Sequence, residues 1–200
     1  MKNIVLYILA TTIIFSPENA EADTTFHTRL LIHSHRTIRE TNFGIAGWII
    51  APNISSSPNT WLGIAGPRYN GYGWNAELLA GVMFNSGDAN ALADLRVELT
   101  AKFWGVPLYS WDNFQWINTG KSGTGYWYSQ LDWVVPSEVG LLGVETENTF
   151  NASACDFSIA PHAVLSLSEH FVLVTAPQLH FDLDGHYTGL QVWIRAVINL

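Results

Sequence analysis

From residue 42 onward, apolar and polar residues alternate along the chain with a period of two. In the stretch 91–104, one side carries Asp94, Arg96, Glu98, Thr100 and Lys102, and the residues between them are apolar. The stretch 188–200 has a wholly apolar face from Leu190 to Leu200. Successive side chains of a β-strand point to opposite faces, so this period predicts an all-β chain.

Clusters of Gly, Pro, Asn and Ser, the residues that turns favour, separate these segments. The pattern predicts ten strands, over 43–51, 60–67, 73–84, 91–104, 108–118, 125–135, 138–147, 156–168, 170–183 and 188–200. Most of them are longer than the common strand of about five or six residues. Strands that cross a membrane need about 9–11 residues, which these segments supply.

The composition decides between two all-β architectures. Charged residues make up 13% of the chain and apolar residues 48%, and nine residues are Trp. A soluble β-sandwich would then expose many bulky side chains and few charges. We therefore favour an antiparallel, up-and-down transmembrane β-barrel of about ten strands, within a range of 8–12. A secreted sandwich that binds carbohydrate through exposed Trp is the alternative.

The N-terminal segment has the form of a secretory signal peptide. Residues 1–22 contain one Lys, an apolar run from Ile4 to Phe15 and the triplet Ala20-Glu21-Ala22, which predicts cleavage after Ala22. Residues 23–41 are expected to form a periplasmic lead or an extra strand, and residues 42–200 the barrel. The net charge of -8 argues against a nucleic-acid partner, because phosphates attract clustered Lys and Arg.

With its signal sequence, alternating strands, aromatic residues near strand ends and C-terminal strand, the chain resembles bacterial outer-membrane β-barrels. The resemblance implies an outer-membrane location, contact with lipid, insertion by the barrel-assembly machinery and an even number of strands. It also implies short periplasmic turns, at 168–169, 136–137, 105–107 and near 67–73, and longer outer connections that include "NISSSPN", "NSGDAN" and "TGKSGTG". Such proteins usually end in Phe, whereas this chain ends in Leu200.

If the apolar faces meet lipid, the polar faces line a lumen, since charges in hydrocarbon are costly. The predicted lumen-lining residues are Glu77, Asp94, Arg96, Glu98, Lys102, Gln130, Asp132, His162, Gln178, His180, Asp182 and Arg195. Such a lining suits a porin-like passive channel for small polar solutes, or a narrow barrel filled by its own charges. Neither function needs an enzyme activity or a cofactor.

Two further constellations are weaker candidates for chemistry. A Ser, a His and an acid on one face, here Ser158, His180 and Asp182, form the set that an outer-membrane lipid hydrolase would use. The triplet "HSH" places His33 and His35 on one face of an extended segment, but no Cys or paired carboxylate completes a metal site, so no metal is predicted.

Overall fold

The computed structural model describes residues 24–118, 123–135, 140–152 and 154–200. These residues form eleven strands: β1 (Thr24–Thr37), β2 (Phe43–Ala51), β3 (Thr60–Gly71), β4 (Trp74–Asn85), β5 (Asp88–Phe103), β6 (Val106–Asn118), β7 (Gly123–Val134), β8 (Gly140–Phe150), β9 (Cys155–Ser166), β10 (Phe171–Phe181) and β11 (Tyr187–Asn199). Each strand pairs with its neighbours in sequence, and β1 joins β11 to close a barrel. The part of the chain that the structure describes holds no helix long and apolar enough to cross a membrane.

The closing pair is parallel, unlike every other pair in the sheet. β1 runs alongside β11 from Thr24 opposite Leu190 to His33 opposite Asn199, and its other edge is antiparallel to β2. An odd number of up-and-down strands brings the first and last strands together in the same direction. The all-β barrel of about ten strands is thus confirmed, while the expected even number is wrong, because residues 24–37 supply one extra strand. The predicted signal peptide lies outside the described residues.

The two faces of the wall differ in polarity, and the apolar face is the outer one. Adjacent residues illustrate this: Leu95 is 46% exposed and Arg96 2%, and Val144 is 52% exposed while Glu145 is 2%. Exposed aliphatic side chains lie on most strands, among them Ile45, Ile49, Leu78, Leu95, Leu131, Val144, Ile159 and Ile194. The buried side chains include eleven Asp, Glu, Arg and His residues. The barrel is therefore apolar outside and largely polar inside.

Exposed aromatic residues concentrate toward the two ends of the barrel. The end that carries the connections 52–59, Ser86–Gly87 and 182–186 is named the loop end, and the opposite end, with Tyr72–Gly73, Trp104–Gly105 and 167–170, the turn end. Toward the loop end lie Trp61, Phe84, Trp116, Trp127 and Phe157, and toward the turn end lie Phe43, Trp74, Phe103, Trp104 and Trp133.

The lengths of the connections differ from the predicted pattern. The segment "NSGDAN" was expected to be a longer outer connection, yet Ser86 and Gly87 alone join β4 to β5. Both residues have positive φ, 48° and 103°, as the favoured two-residue hairpin turn requires. The remaining residues of that segment pair as strand, with Asn85 opposite Asp88. The connection near 67–73 is likewise reduced to Tyr72–Gly73, whereas "TGKSGTG" and 136–137 lie largely outside the described residues.

Candidate functional site

The interior of the barrel holds buried ion pairs, and the most extensive one joins strands that are not neighbours. Arg195 of β11 donates from Nη1 and Nη2 to the two carboxylate oxygens of Glu145 on β8, at 2.7 Å each. Nη2 also donates to Glu147, at 2.9 Å. The Arg195 side chain is 5% exposed and that of Glu145 is fully buried. Because β8 and β11 are separated by two strands, this contact reaches across the lumen.

A second arginine approaches the same acids from β1. Arg29 donates to Glu147 at 2.6 Å and to the hydroxyl oxygen of Tyr126 at 3.2 Å. The amide of Gln178 donates to Glu145 at 2.7 Å and to Glu147 at 3.1 Å. Each carboxylate is therefore surrounded by several donors, which a buried charge needs to offset its loss of hydration.

His162 of β9 lies between two buried acids. Its Nε2 is 2.7 Å from a carboxylate oxygen of Asp132, and its Nδ1 is 2.9 Å from one of Glu145. The side chains of all three residues are fully buried. The amide of Gln130 donates to the second oxygen of Asp132 at 2.8 Å. The histidine thus connects the pairs on β8 and β11 to the polar groups of β7.

Two further acids are paired on the other side of the lumen. Glu77 accepts hydrogen bonds from Arg68 and from the indole N–H of Trp48, the latter at 2.8 Å. Asp94 is paired with Arg96 at 2.9 Å and also accepts bonds from the side-chain amides of two residues on β6, Asn113 and Gln115. Glu77, Asp94, Glu145 and Glu147 thus each have an arginine partner, which compensates their charges.

Aromatic rings connect the two sides across the lumen. Trp48 on β2 and Trp111 on β6 stack with ring centroids 6.0 Å apart, and the guanidinium of Arg96 lies 4.1 Å above the Trp48 ring. Trp111 meets Tyr128 of β7 at 5.3 Å, and the Arg195 guanidinium lies 5.4 Å from the Tyr128 ring. Trp48, Arg96, Trp111, Tyr128, Gln130, Glu145, His162 and Arg195 are hereafter named the side-chain layer.

Cavities lie on both sides of the side-chain layer. One opens toward the loop end, has a volume of about 300 Å³ and is lined by Pro52, Asn53 and Thr124 among others. The other lies toward the turn end, has a volume of about 470 Å³ and is lined by His35, Tyr109 and Asn199 among others. Four residues line both cavities: Trp111, Gln130, Val174 and Val197. These shared residues lie between the two cavities, where side chains narrow the lumen.

Part of the inner wall is apolar, which the sequence analysis did not predict. Leu31, Ile50, Leu62, Ile64, Leu79 and Leu92 form a buried cluster with Trp48 and Ala46 on β1 to β5. The signal was present in "FGIAGWIIA", where both faces of β2 are apolar and no polar face alternates. The lumen is consequently amphipathic: β1 to β5 contribute an apolar wall, and β7 to β11 contribute ion pairs.

Most of the predicted lumen-lining residues are buried side chains of the interior: Glu77, Asp94, Arg96, Gln130, Asp132, His162, Gln178, His180 and Arg195. Glu98 is half-buried and accepts a hydrogen bond from Asn75 at 2.9 Å. Two residues are placed elsewhere. Lys102 is exposed next to the turn that ends β5, and Asp182 lies beyond the end of β10 in the connection to β11.

Asp182 is held by its own loop. The backbone N–H groups of His186 and Asp184 donate to its Oδ1 at 2.8 and 3.0 Å, and these bonds, that of His186 foremost, hold the pKa of Asp182 below its usual value. The three side chains offer ligand atoms within 4.8 Å of one another at the protein surface. Because backbone N–H groups already donate to one oxygen of Asp182, the segment from Asp182 to His186 forms a hydrogen-bonded turn.

The weak hydrolase candidate is not assembled. Ser158 lies opposite His180, but its Oγ donates to the backbone oxygen of Glu147 at 2.7 Å. His180 is paired instead with Asp156, at 2.9 Å. Asp182 does not join them, because its carboxylate is hydrogen-bonded within its own turn. In "HSH", His33 stacks on Trp48 at 4.0 Å and lies 3.4 Å from Glu77, so its ring belongs to the interior network.

The network also depends on residues that were not predicted from the sequence: Arg29, Arg68, Glu145 and Glu147. The two glutamates had a visible signal, since "VETEN" alternates charged and other residues within a predicted strand. Arg68 had been placed near a turn, and Arg29 in the unassigned lead.

Comparisons with models of protein families, with curated proteins and with solved structures return no match.

Proposed function

We propose that the protein is a transmembrane β-barrel of the bacterial outer membrane whose lumen is closed by the side-chain layer, so that it serves as a surface barrel and not as an open pore. The observation that carries the proposal is the reversed polarity of the wall, with aliphatic residues outside and ion pairs inside. Water-soluble proteins seldom expose a large continuous apolar surface. Hydrocarbon is the solvent that such a surface suits.

The exposed aromatic residues at the two ends support the same proposal of a membrane location. Trp and Tyr favour the interfaces between hydrocarbon and water, because their rings are apolar and their N–H or O–H groups are polar. The strands also have a suitable length, since β2, the shortest, has 9 residues, and a crossing strand needs about 9–11. We include export by the signal peptide of residues 1–22 and insertion by the barrel-assembly machinery in the proposal.

One acid on the outer face is compatible with a lipid environment because it is satisfied locally. Asp112 of β6 accepts hydrogen bonds from the hydroxyls of Ser110 and Ser129, at 3.0 and 2.6 Å. Ionisable groups within a membrane are expected to be paired or hydrogen-bonded in this way.

The contacts across the lumen favour a closed barrel over a porin. Side chains of eight-stranded barrels fill the interior, whereas sixteen or more strands leave a channel. The eleven strands of this barrel lie near the lower number. The Glu145–Arg195 pair and the Trp48–Trp111 stack both join strands that are not neighbours, and the loop-end and turn-end cavities lie on either side of them.

A charge placed on the outer face tests the proposal. We expect Leu78→Lys to lower the stability of the inserted barrel by about 2–4 kcal/mol, the cost of Lys at the lipid face near the bilayer centre. The chain lacking residues 1–22 is refolded into phospholipid vesicles, and the folded fraction is measured from the different gel migration of boiled and unboiled samples.

Leu183→Lys is the matched control, because Leu183 is 67% exposed but lies in the connection between β10 and β11. It should fold as the unaltered protein does. A protein that is folded and monomeric in buffer without lipid, or an unchanged Leu78→Lys variant, would contradict the membrane proposal.

A further inference from the structure

Four residues that line the cavity at the loop end carry buried N–H groups that have no hydrogen-bond partner in the protein. They are Nη1 of Arg96, Nε of Arg195 and the indole Nε1 of Trp111 and Trp193. All four residues line this cavity. Arg96, Arg195 and Trp193 are more than nine-tenths buried. A buried polar group without a partner costs free energy, so a cavity with several of them is suited to a ligand that satisfies them.

The chemistry of these atoms restricts the ligand. Guanidinium and indole N–H groups donate hydrogen bonds and cannot accept them, so the ligand must bring acceptors. The charged residues that line the cavity are Arg29, Arg96, Arg195 and Glu147. Asp94 and Glu145, the acids that pair with Arg96 and Arg195, do not line it. The charged groups in the lining itself are therefore three guanidinium groups and one carboxylate, and a charged acceptor forms stronger hydrogen bonds with such donors than a neutral one.

Two of the residues that carry these donors lie near one tyrosine. The Trp111 ring lies 5.3 Å from the Tyr128 ring, and the Arg195 guanidinium 5.4 Å from the same ring. Arg195 is in turn 5.6 Å from the ring of Trp193. An anionic group next to Tyr128 is thus close to both Trp111 and Arg195.

Part of the lining is apolar. Leu31, Ile50, Leu62, Met83 and Ile117 line the cavity and belong to, or pack against, the buried apolar cluster. A volume of about 300 Å³ accommodates about ten groups the size of a water molecule. This space fits a short hydrocarbon chain joined to a small charged head.

We propose that the loop-end cavity binds a small amphipathic carboxylate with a chain of about eight carbons. Its carboxylate accepts hydrogen bonds from the N–H groups of Arg96, Trp111, Trp193 and Arg195, and its chain lies against Leu62 and Met83. The inference concerns the interior of the barrel and goes beyond the proposed membrane location, on which it does not depend.

Octanoate is the probe, titrated by calorimetry into the barrel in lipid nanodiscs, with the signal of empty nanodiscs subtracted. We expect saturable binding of one octanoate per barrel. Octanamide has the same chain and a neutral acceptor, acetate has the charge without the chain, and octylammonium has the opposite charge. Each should bind at least about tenfold more weakly, since a hydrogen bond to a charged group contributes about 1.5–3 kcal/mol.

Trp111→Phe and Trp193→Phe each remove one donor and keep an aromatic ring, and each should weaken octanoate binding about tenfold. Trp127→Phe, on the outer face, is the matched control and should bind octanoate unchanged. Equal binding of octanoate and octanamide, no saturable binding by a folded barrel, or unchanged binding in both cavity variants would overturn the inference. If the protein proves soluble without lipid, the same titration is done in buffer, so this inference and the membrane proposal fail separately.

Discussion

Replacing Arg195 by methionine is expected to lower the free energy of unfolding by about 3–5 kcal/mol, the cost of removing one partner from a buried ion pair. The guanidinium makes three charge-assisted hydrogen bonds to Glu145 and Glu147. Without it, two acids on one strand would share only Arg29, His162 and neutral donors. The variant retains a long apolar chain, so the loss reports the charge and not the volume. Urea unfolding of the protein in lipid vesicles, followed by Trp fluorescence, measures the change.

The matched control is Arg36→Met, because Arg36 is an exposed residue near the end of β1. The free energy of unfolding of this variant should differ from that of the unaltered protein by no more than about 0.5 kcal/mol. Adding Glu145→Gln to Arg195→Met should recover part of the loss, since it removes one of the acids left without a partner. If Arg195→Met unfolds at the same urea concentration as the unaltered protein, the ion pair across the lumen does not support the barrel.

In a planar lipid bilayer, the unaltered protein is expected to give no resolved conductance steps, and a variant in which Trp111 and Gln130 are both alanine is expected to give them. These two residues line both cavities, so their side chains separate the cavities. Truncating both joins the cavities into a continuous polar passage. The measurement is the frequency and size of steps per inserted barrel.

Trp127→Ala with Leu131→Ala is the control pair, since both residues are exposed on the outer face of the same strand, β7. It should remain as silent as the unaltered protein. Steps from the unaltered protein would show that the side-chain layer conducts, and the porin-like alternative would then be the better account. Silence of an inserted Trp111→Ala, Gln130→Ala variant would show that other residues close the lumen.

The wall of the barrel could be predicted because the two-residue period is local. The sequence of each strand indicates which of its faces is apolar. In 91–104 the structure has the predicted orientation, with Leu95 outside and Arg96 inside. For the first strand the sequence left a lead and an extra strand as alternatives, because Leu30, Leu31 and Ile32 are consecutive apolar residues. Leu31 faces the apolar part of the lumen, so alternation is lost there.

The contacts between side chains inside the lumen were harder to predict from the sequence. Neighbouring strands fix which residues lie side by side, as for Ser158 and His180. Contacts across the lumen, such as Glu145 with Arg195, depend on barrel diameter and on the stagger of the strands, which no local pattern records. Asp182 was misplaced for a different reason: its carboxylate is bound by its own turn, an alternative that Asp offers the backbone after a strand ends.

The reversed polarity of the wall is tested most directly by spin labels on the two faces. Single cysteines at Leu78, Leu95 and Val144 on the outer face, and at Met83, Leu141 and Val174 in the cavities, are introduced into a Cys155→Ser background and labelled in lipid vesicles. Collision with oxygen, which concentrates in the bilayer, and with a nickel chelate confined to water is measured by electron paramagnetic resonance. We predict that the outer labels collide with oxygen and are shielded from the chelate, whereas the cavity labels show no preference for oxygen. Outer labels that are freely accessible to the chelate would contradict the account.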